Sequence, residues 1–264
     1  MIRTPLGLRL NPARPIREQI REAAKLGAKG VVIDAIGDLG PDRLSETGRR
    51  ELRHLLRSVE LTLIGLHLPT RRPFDNLDQL DDRLLRAENA FTLAYELGTR
   101  LAMARVGPLP AETETTRRET WLSAVAELGR RADHRGIRLG IESGTEPGKD
   151  LRTILDGINS VGLGVSIDPG TFLMHGHDPI AAVRDLDTWV VHAYGTDASS
   201  IGTARTTSMA NPFGTGFRPG VLDWEEYLGS LEEVGYQGYL TIWPDPARDP
   251  GPQFTSLRDH LARF

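Results

Sequence analysis

The 264-residue sequence contains no cysteine. Disulfides, thiolate nucleophiles, zinc–thiolate sites and iron–sulfur clusters are thereby excluded. Lysine is scarce: Lys25, Lys29 and Lys149 stand among 32 basic residues, which leaves few candidates for a Schiff base. No apolar run approaches the roughly 20 residues of a membrane span. The opening Met1-Ile2-Arg3-Thr4-Pro5 lacks the apolar stretch of a signal peptide. The expectation is a cytoplasmic protein with no membrane partner. A basic excess is also missing: the formal charge is −4, against the strong positive charge of a dedicated nucleic-acid binder.

What is present is alternation. Short apolar runs at Leu6–Leu10, Gly30–Ile36, Leu61–Leu68, Arg100–Val106, Arg138–Ser143, Gly162–Asp168, Trp189–Tyr194 and Gly238–Ile242 read as strands. Between them, apolar residues recur at helical spacing, as in Ile16/Ile20/Ala23, Leu52/Leu55/Leu56/Val59 and Leu80/Leu84/Ala87/Phe91/Ala94. Asp178-Pro179 has the form of an N-cap followed by proline at the first helical position, and Asp223 to Glu226 that of a capping box. Eight strand–helix units without an intervening linker predict a single-domain (β/α)8 TIM barrel over residues 1–264. A doubly wound open sheet is the weaker alternative, because the first strand–helix turn carries no dinucleotide-binding glycine fingerprint.

In such a barrel the chemistry gathers where strands end. The strand ends offer Asp34, His67, Arg105, Glu142, Asp168, His192 and Trp243. Glu142, Asp168 and His192 together could hold a divalent metal, Mn, Mg, Co or Zn. Each also has a plain structural reading. An ion pair with Arg105 would satisfy Glu142, Asp168 before Pro169-Gly170 suits a turn, and His192 in an apolar strand suits the core. His175 and His177 read as loop-shaping, and His54, His134 and His260 as exposed on helices.

Several stretches resemble the xylose-isomerase-like sugar phosphate isomerase/epimerase superfamily, to which the apurinic endonucleases are distantly related. They are Leu139–Glu142, Val165–Gly170 with Gly176–Pro179, Val190–Ala193, and Pro219–Trp224 with Gly235–Leu240. The resemblance implies a metal held by a glutamate after strand 5, an aspartate after strand 6, a histidine near strand 7 and a glutamate after strand 8. Glu142, Asp168 and His192 match the first three, and Trp243 stands in the fourth place. Thr171 and Tyr194-Gly195 depart from the family pattern as well.

Two functions follow as expectations. One is a metal-dependent isomerase or epimerase of a small sugar, sugar phosphate or polyol, working by proton abstraction beside a carbonyl through a metal-stabilised enediolate. In it Glu142 is the base, with His67 as a second catalytic candidate, and Arg105, Arg218 and Trp243 bind substrate. Arg71 and Arg72 are further anion-binding candidates, Asp245 and Asp197 are stand-ins for the lost glutamate, and Gly214–Gly220 is a candidate lid. The other is a non-catalytic or altered-activity relative with an eroded metal site, serving as a small-molecule binding or interaction protein. The endonuclease activity is disfavoured, since the strand ends supply neither the extra ligands nor a basic groove. Homo-oligomerisation is left open, with Trp189, Trp224 and Tyr236 assignable to the interior or to a subunit contact.

Overall fold

Inward and outward side chains alternate along each strand, and the inward set decides what the barrel contains. A computed structural model describes residues 4–196, 222–245 and 249–262. Eight parallel strands close in sequence order, β1 pairing with both β2 and β8. They are β1 (Leu6–Arg9), β2 (Gly30–Asp34), β3 (Thr62–Leu68), β4 (Leu101–Ala104), β5 (Arg138–Glu142), β6 (Leu163–Ile167), β7 (Val190–Tyr194) and β8 (Leu240–Ile242). The TIM barrel expected from the alternation is the fold observed.

The helices outside the barrel are α1 (Ile16–Leu26), α2 (Glu46–Ser58), α3 (Leu80–Leu97), α4 (Thr115–His134), α5 (Gly148–Ile158), α6 (Pro169–Met174), α7 (Pro179–Leu186), α8 (Trp224–Glu233) and α9 (Pro250–Leu261). The caps read from the sequence are present. Asp178 accepts from the amides of Ile180 and Ala181 ahead of α7, and Asp223 accepts from Glu226 N at 3.0 Å ahead of α8. The six-residue α6 follows Asp168 directly, where a turn was one of the expectations. Proline at its first position is suited to a helix start, so Pro169 opens a helix rather than a turn.

Most of the apolar core lies between the strands and the helices. A smaller cluster of Val32, Ile64 and Met103 packs apart from it, inside the barrel. Strand β3 carries a register shift opposite Val31/Val32, so that Ile64 is an extra residue: Val31 pairs with Leu63, and Val32 with Gly65. This bulge lets Ile64 and His67, three apart, both face inward. Ile64 occupies space left by glycine, since a Cβ on Gly7 would sit 2.3 Å from its Cδ1 and one on Gly30 2.7 Å from its Cγ1.

Helix α4 approaches the β6 edge closely enough that only glycine fits at Gly162. A Cβ there would lie 2.1 Å from the Gly129 carbonyl oxygen and 2.7 Å from Asp133 N, backbone atoms that cannot rotate away. Gly162→Ala is therefore expected to lower stability by about 1–3 kcal/mol, read as a lower urea midpoint at unchanged slope.

Candidate functional site

The strand pairing arranges inward residues in tiers of four drawn from alternate strands. Arg9, His67, Glu142 and Tyr194, from β1, β3, β5 and β7, form one tier at the C-terminal mouth. Their contacts close a ring. Arg9 Nη2 meets His67 Nδ1 at 2.6 Å, His67 Nε2 lies 3.3 Å from Glu142 Oε1, the Tyr194 hydroxyl donates to Glu142 Oε1 at 2.9 Å, and Arg9 Nη1 donates to the Tyr194 hydroxyl at 3.4 Å. Above the ring stand Asp34, Arg105, Asp168 and Trp243, from or just beyond β2, β4, β6 and β8.

Arg9 ties the two tiers together. Its Nε and Nη2 donate to the two carboxylate oxygens of Asp34 at 3.1 and 3.2 Å, and Nη1 lies 3.5 Å from Glu142 Oε1. The Trp243 ring covers the guanidinium, 3.8 Å from its carbon. The Arg9, Asp34, His67 and Glu142 side chains are each no more than 8% exposed. Charges so dry require partners. Arg105 supplies one more, reaching from the half-exposed rim to Glu142 Oε2 at 2.9 Å.

The electrostatics follow. Burial opposes the charge on Glu142, yet His67, Arg9 and Arg105 outweigh it and hold its carboxyl well below the usual carboxylate range. Burial likewise opposes charge on Asp34, and His67 and Arg9 win. Burial and the neighbouring Glu142 push the Tyr194 hydroxyl well up, so it remains a donor. Burial disfavours a charged His67, but Glu142 and Asp34 raise its pKa overall. His67 Nδ1 faces both Arg9 Nη2 and, at 3.5 Å, Asp34 Oδ1: the neutral ring accepts from Arg9 and carries its proton on Nε2, whereas the protonated ring that stabilises the two carboxylates turns Nδ1–H to Asp34 and gives up the Arg9 hydrogen bond. Nε2 itself has no aligned hydrogen-bond partner among the described residues.

The three residues expected to share a metal are not gathered at one point. Glu142 belongs to the ring. Asp168 stands beside it, bound by the hydroxyls of Thr196 and, at 2.6 Å, Thr171, with burial raising its pKa. His192 lies two residues below Tyr194 on β7, about 6–7 Å deeper. Its Nδ1 meets Ser166 Oγ at 2.7 Å and its Nε2 meets Thr241 Oγ1 at 2.8 Å, so both ring nitrogens are engaged within the barrel. Among the described residues no group of three or more histidine, aspartate or glutamate side chains is arranged for a metal ion. A divalent cation does not fit these donors: a guanidinium already sits among the carboxylates, and the histidine expected beside them points at hydroxyls one tier down.

His67, Arg105 and Trp243 do meet at the mouth. Arg218, Asp197 and the Gly214–Gly220 segment lie outside the described residues. Sequence reasoning did not single out Arg9. The signal was present: Arg9 alternates with Gly7 on an apolar strand, so it faces inward, where a charge needs a carboxylate.

The xylose isomerase-like TIM barrel family matches residues 20–263. The chain belongs to this family. No curated protein sequence matches it. Among solved structures, a xylose isomerase domain protein from Planctomyces limnophilus superposes with a TM-score of 0.79 at 18% identity, covering 98% of this chain and 95% of that one. D-psicose 3-epimerase from Clostridium cellulolyticum H10 gives 0.72 at 15% identity, covering 91% and 84%. The 3-keto-D-glucoside 4-epimerase of E. coli gives 0.76 at 14%, covering 99% and 100%. With these structures the likeness is one of fold. No described helix is long and apolar enough to cross a membrane.

Two outcomes test the network. Arg9→Met leaves the buried Asp34 without its forked partner and is expected to cost about 3–5 kcal/mol of unfolding free energy in urea, with Arg9→Lys recovering only part because an ammonium has no fork. Burial lowers the His192 pKa to about 3 from an ordinary 6.5, so across that window the unfolded chain binds a proton that the folded chain refuses. The His192 contribution is therefore full above the ordinary value and is lost as pH falls towards the folded one, at up to about 1.4 kcal/mol per pH unit. Urea midpoints measured at about pH 5 and about pH 6.5 should differ more for the parent protein than for His192→Gln.

Proposed function

We propose that this chain is a metal-independent member of its family, one that binds a small sugar or polyol at the barrel mouth without the two-glutamate proton exchange of an epimerase. The observation that carries this reading is Arg9. Where the family resemblance implies a divalent ion between side chains of β5 to β8, this chain has a guanidinium from β1, forked onto Asp34 and capped by Trp243. Trp243 also takes the place of the second glutamate, so a proton could be handled from one side only.

Recognition is supported by a cavity of about 230 Å³ bordered by Arg9, Asp34, Asn11, Trp243 and Asp245. It suits one monosaccharide-sized molecule, with an indole for its C–H face and charged groups for its hydroxyls. Glu142, ionised, and His67 belong to the neighbouring ring and not to the wall of this cavity; they are the groups able to move a proton at the mouth, where Arg105 on the rim would orient an electronegative substituent.

The second reading is a metal-dependent sugar isomerase or epimerase using Glu142, Asp168 and His192. It draws its support from the family and from the named activities of the two epimerases above. In this chain it would require Arg9 to leave the ring, and Ser166 and Thr241 to release His192.

The test combines elemental analysis after purification from medium supplemented with Mn2+ and Co2+, deuterium uptake by ketoses in D2O, and tryptophan fluorescence titration with ketoses and polyols. The expected result is metal well below one ion per chain, no exchange with or without added Mn2+, and a saturable fluorescence change abolished in Trp243→Ala. About one tightly held ion lost in Glu142→Ala, together with metal-dependent exchange, would establish the second reading instead.

A further inference from the structure

Beside the mouth, between the ends of β2 and β3 and the first turns of α3, lies a separate cleft of about 620 Å³. Its walls carry five arginines: Arg43 before α2, Arg71 and Arg72 after β3, and Arg83 and Arg86 on α3. The last two are three residues apart and share one helix face. Arg72 is paired with Asp78. Arg83 donates to the backbone carbonyls of Asn76 and Asp78 and Arg86 to that of Asp82, which leaves their charge unneutralised. Arg83 Nε is buried with no hydrogen-bond partner. Among the described residues no ion pair reaches Arg43, Arg71, Arg83 or Arg86; Asp42 is the one carboxylate on the wall.

Guanidinium groups remain charged at any physiological pH, and a cluster of them repels itself unless an anion is present. The chain as a whole is net negative at −4, so this concentration of positive charge is local and runs against the global field. The volume falls in the range of small-molecule sites and exceeds what a single carboxylate or phosphate would fill. Arginines from three segments line this one cleft, and such a set suits several phosphoryl oxygens better than one carboxylate, because each phosphoryl group accepts bidentate bonds from more than one arginine. Phe74 and Ala87 give the cleft an apolar floor.

We infer that this cleft binds a small phosphorylated molecule carrying at least two phosphoryl charges. The site is independent of the mouth and of the sugar-binding reading above.

Inorganic pyrophosphate is the probe, titrated calorimetrically at low salt, with citrate and sulfate at matched ionic strength as comparison anions. Pyrophosphate is expected to bind saturably and to raise the melting temperature, and Arg43→Ala/Arg71→Ala should weaken binding by about tenfold or more. Arg50→Ala on the outer face of α2 should leave binding unchanged, and circular dichroism checks that each variant is folded. Should the double variant fail to fold, Arg86→Gln supplies the same comparison. Absence of binding, equal binding of citrate and sulfate, or an equal loss in Arg50→Ala would overturn the assignment.

Discussion

A guanidinium held in a nearly dry barrel mouth is the constraint from which the site is built. Arg9 cannot shed its proton, and its surroundings give it almost no water. The structure meets that demand with Asp34 forked along one edge, Glu142 nearby, the His67 nitrogen as acceptor and an indole across its face. Each partner is then committed. Asp34 and Glu142 remain ionised, Tyr194 must donate, and His67, while it accepts from Arg9, carries its proton on the nitrogen facing Glu142.

The tier geometry explains why this network is a ring rather than a cluster. Alternate strands place four side chains at one height, each within reach of its neighbours in the tier. Beneath the ring a different regime begins, in which His192 on β7 and the hydroxyls of Ser166 and Thr241 on the flanking β6 and β8 satisfy one another through neutral hydrogen bonds. Charge is thus confined to the mouth, and the deeper layers are polar but uncharged or apolar.

The barrel was legible because it depends on periodicity, and periodicity is local. Every predicted strand overlaps an observed one, and the Asp178 and Asp223 caps bind the amides expected of them. Residue types at strand ends were legible too: Glu142, His67, Asp168, Arg105 and Trp243 all face the mouth. Height was not. Parity along a strand says which residues point inward, but depth depends on the stagger between strands, and a two-residue step drops His192 below the ring. Arg9 was hidden differently. A lone arginine in the apolar run Leu6–Leu10 disappears when the run is read for its average character, although burial makes that exception its most consequential residue. Helix α6 was missed because Asp-Pro-Gly serves a helix start as readily as a turn.

The extra residue in β3 has an outcome beyond local geometry. Had the strand run without it, the pleat would have carried leucines into the lumen and turned the imidazole out beneath the helices. One inserted residue thus flips the parity of the strand's upper half, and the polar character of the barrel mouth depends on that offset.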